Sequence, residues 1–362
     1  MTRLKGLFGA LAPALVLWLA ALPAAAEDWL LDAHLLPFDD QSPTRAMRYE
    51  PLDHAARPLR FCILYPHLKD AYWLSVNYGM VREAQRLGVG FELFEAGGYP
   101  NLRRQAEQLK ACGAGGFDAI ILGTVSYDGL TPLIREISQT TPIIATVNDI
   151  DPEGISAKSS VSWRDMAAAA GQALAARHPR GSPPVRVAWF PGPKDAGWVR
   201  FVEEGFRAAL AESSAEIVVT KYGDTGREQQ VVLIEEALEE DPDINYLIGN
   251  APMAEAAVAI TRNRGLSDRV GIISTYMTHG VFRGVRRGRI LAAPSDFPVM
   301  QGRLAIEQAV RVVEDRLEVK QAGPRIVVLT PQTITDFDTD EALTPASFVA
   351  RFSLAPKAAD RR

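Results

Sequence analysis

The chain has 362 residues, 47% of them hydrophobic, and carries a formal net charge of -5 at pH 7. That length is too great for a single core and suits two domains of the usual ~100 to 200 residues each. A mildly acidic balance, read as holding no basic tract, excludes the electrostatic footprint of a nucleic-acid or anionic-lipid binder.

Arg3 and Lys5 precede an apolar run from Leu7 to Leu22, and Pro23-Ala24-Ala25-Ala26 then leads into Glu27-Asp28. This is the pattern of a secretory signal peptide over residues 1–26, cleaved after Ala26. Export places the chain's two cysteines, Cys62 and Cys112, in an oxidising compartment. Sequence does not give their Cα separation, so a disulfide and two buried thiols both stay open.

Residues 27–57 are rich in Pro, Asp and Arg and read as an extended arm, with Trp29-Leu30-Leu31 as a patch that either docks on a partner or covers a lobe. From Arg60 onward, short apolar runs alternate with segments of helical period, which predicts parallel strands joined by crossover helices. The first unit is strand Phe61 to Tyr65, then a helix with Trp73, Val76, Met80, Ala84 and Leu87 on one stripe and Gly88 as its stop. Strands follow at Phe91 to Phe94, Ala119 to Gly123 and Pro142 to Val147, with Asn101 as a helix cap between the first two. The pattern then restarts: helix from Trp163, strands at Val185 to Phe190, Glu216 to Tyr222, Tyr246 to Gly249 and Val270 to Ser274, with helices between them. A short helix near Val281, a strand Ile290 to Ala293, a long helix Met300 to Leu317 and a strand Ile326 to Leu329 complete it.

Two α/β halves in tandem resemble the type I periplasmic binding protein fold, two doubly wound parallel-sheet lobes joined by three crossovers. The resemblance implies crossings near Asp149 to Ser160, near Ser295 and near Arg325. The N-terminal lobe is then 58–155 plus 296–324, the C-terminal lobe 156–295 plus 325–340, and 341–362 a tail.

No GxxxxGK[ST], no GxGxxG after a strand, no HExxH and no GxSxG occurs, and the five histidines show no metal-ligand spacing. Asp336, Asp338 and Asp340 alternate as in a calcium loop but lack its glycine and closing glutamate. No metal, no other cofactor and no catalysis are expected. Open α/β sheets bind ligands beyond the carboxyl ends of their strands, and aromatic residues gather there. Asp70, Tyr72 and Trp73 follow the first strand, Trp163 follows the first crossing, and Tyr276 follows strand Val270 to Ser274. Aromatic faces attract cations, quaternary ammonium groups above all, so these residues predict a box for a methylated amine. Asp70 suits both a negative wall and a helix N-cap.

The segments LYPHLKDAYWLSVNYGM (Leu64 to Met80), EAGGYPN (Glu95 to Asn101), AIILGTV (Ala119 to Val125), YMTHGVFRG (Tyr276 to Gly284) and QGRLAIEQAV (Gln301 to Val310) resemble the TorT family. Members are periplasmic binding proteins that work with a sensor histidine kinase in sensing trimethylamine N-oxide. The resemblance implies a periplasmic protein with that ligand or a related methylated amine in an interlobe aromatic pocket of Asp70, Tyr72, Trp73, Trp163 and Tyr276. It also implies the periplasmic sensor domain of a histidine kinase as partner. The alternative within the same fold is a solute-binding protein serving a sugar or amine importer.

Overall fold

The computed structural model describes residues 28–39 and 42–357; the predicted signal peptide lies outside the described residues. In chain order the elements are β1 (Trp29–His34), β2 (Thr44–Tyr49), β3 (Arg60–Tyr65), α1 (Ala71–Leu87), β4 (Gly90–Glu95), α2 (Leu102–Ala114), β5 (Ala119–Leu122), α3 (Thr131–Ile137), β6 (Ile143–Thr146) and β7 (Ile155–Ser159). They continue as α4 (Trp163–Ala175), β8 (Val185–Phe190), α5 (Val199–Leu210), β9 (Ala215–Thr220), α6 (Arg227–Glu240), β10 (Tyr246–Gly249), α7 (Ala251–Asn263), β11 (Gly271–Ser274) and α8 (His279–Arg286). Last come β12 (Ala293–Ser295), α9 (Pro298–Val313), β13 (Gln321–Pro324), β14 (Val327–Leu329) and β15 (Ser353–Leu354).

The first lobe is built on a nine-stranded sheet in the order β15-β4-β3-β5-β6-β7-β13-β1-β2, and the second on a four-stranded sheet in the order β11-β10-β8-β9. β4-β3-β5 and β9-β8-β10 share one winding: the opening strand of each half lies between the two that follow it, so the order reverses there. That reversal opens a crevice at the carboxyl ends of the strands. β3 pairs in parallel on both edges, with β4 and β5, and Phe61 to Tyr65 are buried on both faces. Hence its unbroken apolar run, as expected of a strand covered by helices on either side. Cys62 of β3 and Cys112 of α2 form a disulfide, with Cα atoms 5.9 Å apart.

Several predicted elements are placed differently. The arm is not merely extended: β1 and β2 form an antiparallel hairpin that joins the first sheet through β13. Trp29 and Leu31 are buried and cover the lobe, while Leu30 faces solvent. β7 lies in the first sheet, parallel to β6 and β13, so the first crossing comes after Ser159 and not at residue 155. Strand β13, Gln321–Pro324, has no apolar signature; its backbone pairs with β7 and β1, and hydrogen bonding rather than side-chain pattern makes it a strand. The predicted strand at 290–293 is reduced to a parallel bridge of Ala292 with Ile273 of β11, and the chain continues into β12, which pairs antiparallel with β14. The tail returns to the first lobe, where β15 pairs with β4. Asn101 does not cap α2; its side-chain amide donates to the Ala96 carbonyl.

Helix α1 begins and ends as its sequence requires. Asp70 accepts from the backbone N–H groups of Tyr72 and Trp73, and Gly88 closes the helix in the left-handed region at φ 78°. Its buried stripe packs along α9 so closely that a Cβ on Gly79 would collide with the Val299 carbonyl, and one on Gly302 with that of Val76. Beside this contact lies a buried ionic cluster. Arg303 Nε donates to Glu83 at 2.8 Å, Arg86 Nη2 to Glu307 at 2.8 Å, and Arg311 Nε to Glu307 at 3.3 Å. Glu307 also accepts from the Leu52 N–H at 2.9 Å, and Arg303 reaches Glu341 of the tail at 2.5 Å. The arm, α1, α9 and the tail are therefore held by one network, whose charges would be costly to bury unpaired.

Burial, reinforced by the neighbouring Glu83 carboxylate and opposed by Arg311 and Arg86, pushes the Glu307 carboxyl up to about 7. Between its ordinary range and that value the folded chain holds a proton that the unfolded chain has released. The contribution of Glu307 to stability is thus present at acid pH and lost as pH rises through about 7. The melting temperature should fall by a few °C between about pH 5 and pH 8, and Glu307→Gln should flatten that slope. An identical slope in the variant would assign the dependence to other groups.

Candidate functional site

Every group lining the space between the two sheets follows the carboxyl end of a strand. Asp70, Tyr72 and Trp73 come after β3, Tyr99 after β4, Asn148 after β6 and Trp163 after β7. Trp163 opens α4 of the second lobe, from which Trp198 also comes after β8, Thr225 after β9 and Tyr276 after β11. They close on one another and leave a cavity of only about 10 Å³. That is room for about one water molecule, so a ligand enters only as the walls move apart.

The five residues singled out from sequence therefore meet in one cavity, and four of them form its aromatic walls. Tyr72 stands edge to face against Tyr276 with ring centroids 5.3 Å apart, against Trp73 at 6.1 Å, and tilted toward Trp163 at 6.2 Å. Trp163 in turn meets Tyr276 at 5.8 Å and Trp198 at 5.1 Å. All lie within the range of favourable aromatic pairs, and Tyr72, Trp73, Trp163, Trp198 and Tyr276 are each less than 5% exposed. Ser162 caps α4 through the Asp165 N–H, and Trp163 Nε1 donates to the Val147 carbonyl at 3.1 Å; these fix the ring at the crossing. Trp73 belongs to both core and cavity, since it begins the buried stripe of α1, packs on Tyr65 at 4.7 Å and also lines the pocket.

Asp70 serves as cap and wall at once. One oxygen accepts from the Tyr72 and Trp73 N–H groups at 3.1 and 3.2 Å, and the residue lines the cavity. Burial raises its pKa, and the nearby His67 draws it back. A cation in the box would favour the ionised form.

Sequence reasoning missed Tyr99, Asn148, Trp198 and Thr225, though all obey the strand-end rule and Tyr99 lies inside EAGGYPN. Asn148 Nδ2 donates to the Thr124 carbonyl at 2.7 Å and to the Tyr99 hydroxyl at 3.2 Å. Asp296 was also missed, because its role depends on a contact 224 residues away. The Tyr72 hydroxyl donates to Asp296 Oδ2 at 2.5 Å, and Gln301 Nε2 donates to the same oxygen at 2.7 Å. Burial raises the pKa of Asp296, and the Tyr72 and Gln301 hydrogen bonds lower it. The next residue, Phe297, holds a left-handed φ of 50° at the second crossing, a conformation that costs a non-glycine residue ~1 to 3 kcal/mol. The wall of the cavity is thus hydrogen-bonded directly to a crossing between lobes.

Other contacts draw the lobes together around the box. His67 Nε2 and Thr225 Oγ1 lie 3.1 Å apart, Lys69 pairs with Asp224 at 3.1 Å, and the Arg200 guanidinium lies 3.8 Å from the Tyr127 ring centroid. Tyr72→Phe keeps the aromatic wall and removes the hydroxyl from Asp296, leaving a buried acceptor short of a donor. Urea unfolding should show a loss of about 1 to 3 kcal/mol; an unchanged midpoint would show that this hydrogen bond does not hold the crossing.

Comparison with known proteins accords with this architecture. Residues 59–314 match the family model described as periplasmic binding proteins and sugar binding domain of the LacI family. The chain is 38% identical over 336 residues to the periplasmic protein TorT of Escherichia coli (strain K12), covering 92% of this chain and 94% of that one. Among solved structures, a solute-binding protein of an ABC transporter from Bradyrhizobium sp. BTAi1 with bound bis-tris superposes with a TM-score of 0.77. It shows 44% identity and covers 90% of this chain and 98% of its own. A complex of the TorS sensor domain with TorT in the presence of TMAO superposes with a TM-score of 0.75 at 39% identity, over 82% of this chain and all of the matched chain. With its strand order, its interlobe box and these relatives, the chain belongs to the type I periplasmic binding protein family, and within it to the TorT group.

Proposed function

We propose that the protein is a periplasmic receptor that closes on trimethylamine N-oxide, or a closely related methylated amine, and presents the closed form to the sensor domain of a histidine kinase. It holds and releases its ligand unchanged. The observation that carries this reading is the aromatic box whose walls come from both lobes.

Trimethylamine N-oxide has three methyl groups on a formally positive nitrogen and one oxygen that only accepts hydrogen bonds. Aromatic faces on several sides suit the methyl cluster, at ~0.5 to 2 kcal/mol for each good contact, and Asp70 adds negative charge. Donors for the oxygen are available in the wall: the Tyr99 hydroxyl, which accepts from Asn148 and keeps its own proton to give, and Trp198, whose buried Nε1 has no hydrogen-bond partner among the described residues. A sugar needs many side-chain polar groups matched to its hydroxyls, and this lining offers few. With at most ~1.5 kcal/mol per heavy atom, a ligand of five such atoms binds no tighter than about micromolar.

Because the walls come from different lobes, ligand binds the closed arrangement better than an open one, and that difference in affinity is what can drive a partner. The relatives support the partner class, since a TorT protein 39% identical to this chain is known in complex with the TorS sensor domain. A second reading, a solute-binding protein feeding an importer, is favoured by one finding: the 44% identical relative is described as part of an ABC transporter.

Calorimetric titration of the mature protein with trimethylamine N-oxide, betaine, choline and ribose tests the ligand. Trimethylamine N-oxide should bind, and Trp73→Ala should weaken it by about tenfold or more through loss of one aromatic face. A preference for ribose, no heat with any methylated amine, or full affinity in the variant would each refute the reading.

A further inference from the structure

The second lobe carries a groove of about 740 Å³ at the opposite end of its sheet from the aromatic box, where β8 and β10 begin at Val185 and Tyr246. Arg262 and Arg269 line it from the end of α7 and the loop that follows. Arg283, Arg287 and Arg289 line it from α8 and the turn behind it. All five are exposed. Several arginines elsewhere on this lobe are paired, among them Arg186 with Asp241 and Arg264 with Glu235. Among the described residues, no ion pair engages Arg262, Arg283, Arg287 or Arg289, and Arg269 meets only the Pro242 carbonyl.

Local features account for part of this charge. Helices α7 and α8 both end at the groove, and each C-terminus contributes about half a negative charge. The carboxylates lining it are Glu255, which accepts a hydrogen bond from the Thr278 hydroxyl, and Asp268. With Arg227, which also lines the groove, six guanidinium groups still leave a surplus of positive charge, on a chain whose net charge is -5. The acidic overall balance therefore conceals a basic face: Arg283, Arg286, Arg287 and Arg289 fall within seven residues, and folding brings Arg262 and Arg269 beside them. This corrects the reading of the sequence as free of any basic tract.

We propose that this groove docks an acidic, carboxylate-bearing segment of a partner protein. Guanidinium forks match carboxylates in geometry as well as charge. The groove is concave, and Val258, Ile272 and Leu291 give it apolar lining between the arginines. That combination fits a chain segment that inserts an apolar side chain between acidic ones, whereas a lipid surface offers a plane of phosphates. Docking here leaves the aromatic box untouched, so the proposal does not depend on which ligand the box holds.

The test is fluorescence anisotropy of a labelled peptide of alternating glutamate and leucine, titrated with the full mature protein. Binding should weaken by about tenfold or more in the double variant Arg283→Glu/Arg287→Glu and be largely kept in Arg283→Lys/Arg287→Lys. It should also weaken as salt rises from about 0.01 to 0.15 M, which shortens the screening length from about 30 to 8 Å. Titration of trimethylamine N-oxide should give the same result in the wild type and both variants, or the same absence of heat if the ligand reading is wrong. Equal peptide binding in the wild type and the charge-reversed variant would overturn the proposal. So would displacement of the peptide by inorganic phosphate at equal concentration, or arginine-dependent binding of phosphatidylglycerol vesicles by a protein that ignores the peptide. If charge reversal unfolds the chain, the lysine variant and the salt dependence decide.

Discussion

The contact on which the site depends is the Tyr72 ring, which reaches from the first turn of α1 to Trp163 and Tyr276 on the second lobe while its hydroxyl is held by Asp296. One side chain thus touches both lobes and a crossing between them. The fold supplies the conditions for it. Asp70 starts α1 directly after β3, so the helix begins at the mouth of the crevice, and the Gly79 and Gly302 contacts bring α9, with Asp296 and Gln301 at its start, against α1. If α1 began one residue later, the ring would turn by about 100° around the helix axis and leave the box.

Charge is treated in opposite ways in the two lobes. In the first, Glu83, Glu307, Arg86, Arg303 and Arg311 are buried or nearly so and almost fully paired, joining the arm and tail to the helix pair. Those groups are fixed by their partners, and their effect is on stability and its dependence on pH. In the second lobe the Arg283 and Arg287 guanidinium groups stay exposed and without ion pairs among the described residues. A paired buried cluster organises a fold, whereas an unpaired exposed one is available to something outside it. The aromatic box lies between the two and has little charge of its own beyond Asp70, as suits a ligand whose nitrogen is positive but whose net charge is zero.

Much of this was legible in the sequence. Alternating buried strands and helical stripes identify the two halves, because a parallel strand covered on both faces must be apolar throughout and its crossover helix must carry one apolar side. The strand-end rule then singles out Asp70, Tyr72, Trp73, Trp163 and Tyr276, since β-strand ends and helix starts are local events readable from a few residues. The same rule could have found Trp198 and Tyr99. They were passed over because PGPKDAGW and EAGGYPN read as loops, whose side-chain directions are not periodic.

What the sequence by itself determined is the two-lobed α/β architecture behind a predicted signal peptide and the aromatic character of the ground between the lobes. What only the tertiary structure decided are the pairings between distant residues: the disulfide of Cys62 with Cys112, β13 as a bridge from β7 to the β1 hairpin, the Tyr72 to Asp296 bond, and the gathering of Arg262 and Arg269 beside Arg283. The reason is physical. Periodicity records which face of an element is buried and a cap records where a helix starts, but no local pattern states which partner lies across the gap. That follows from the winding of the sheets, which is a property of the whole chain.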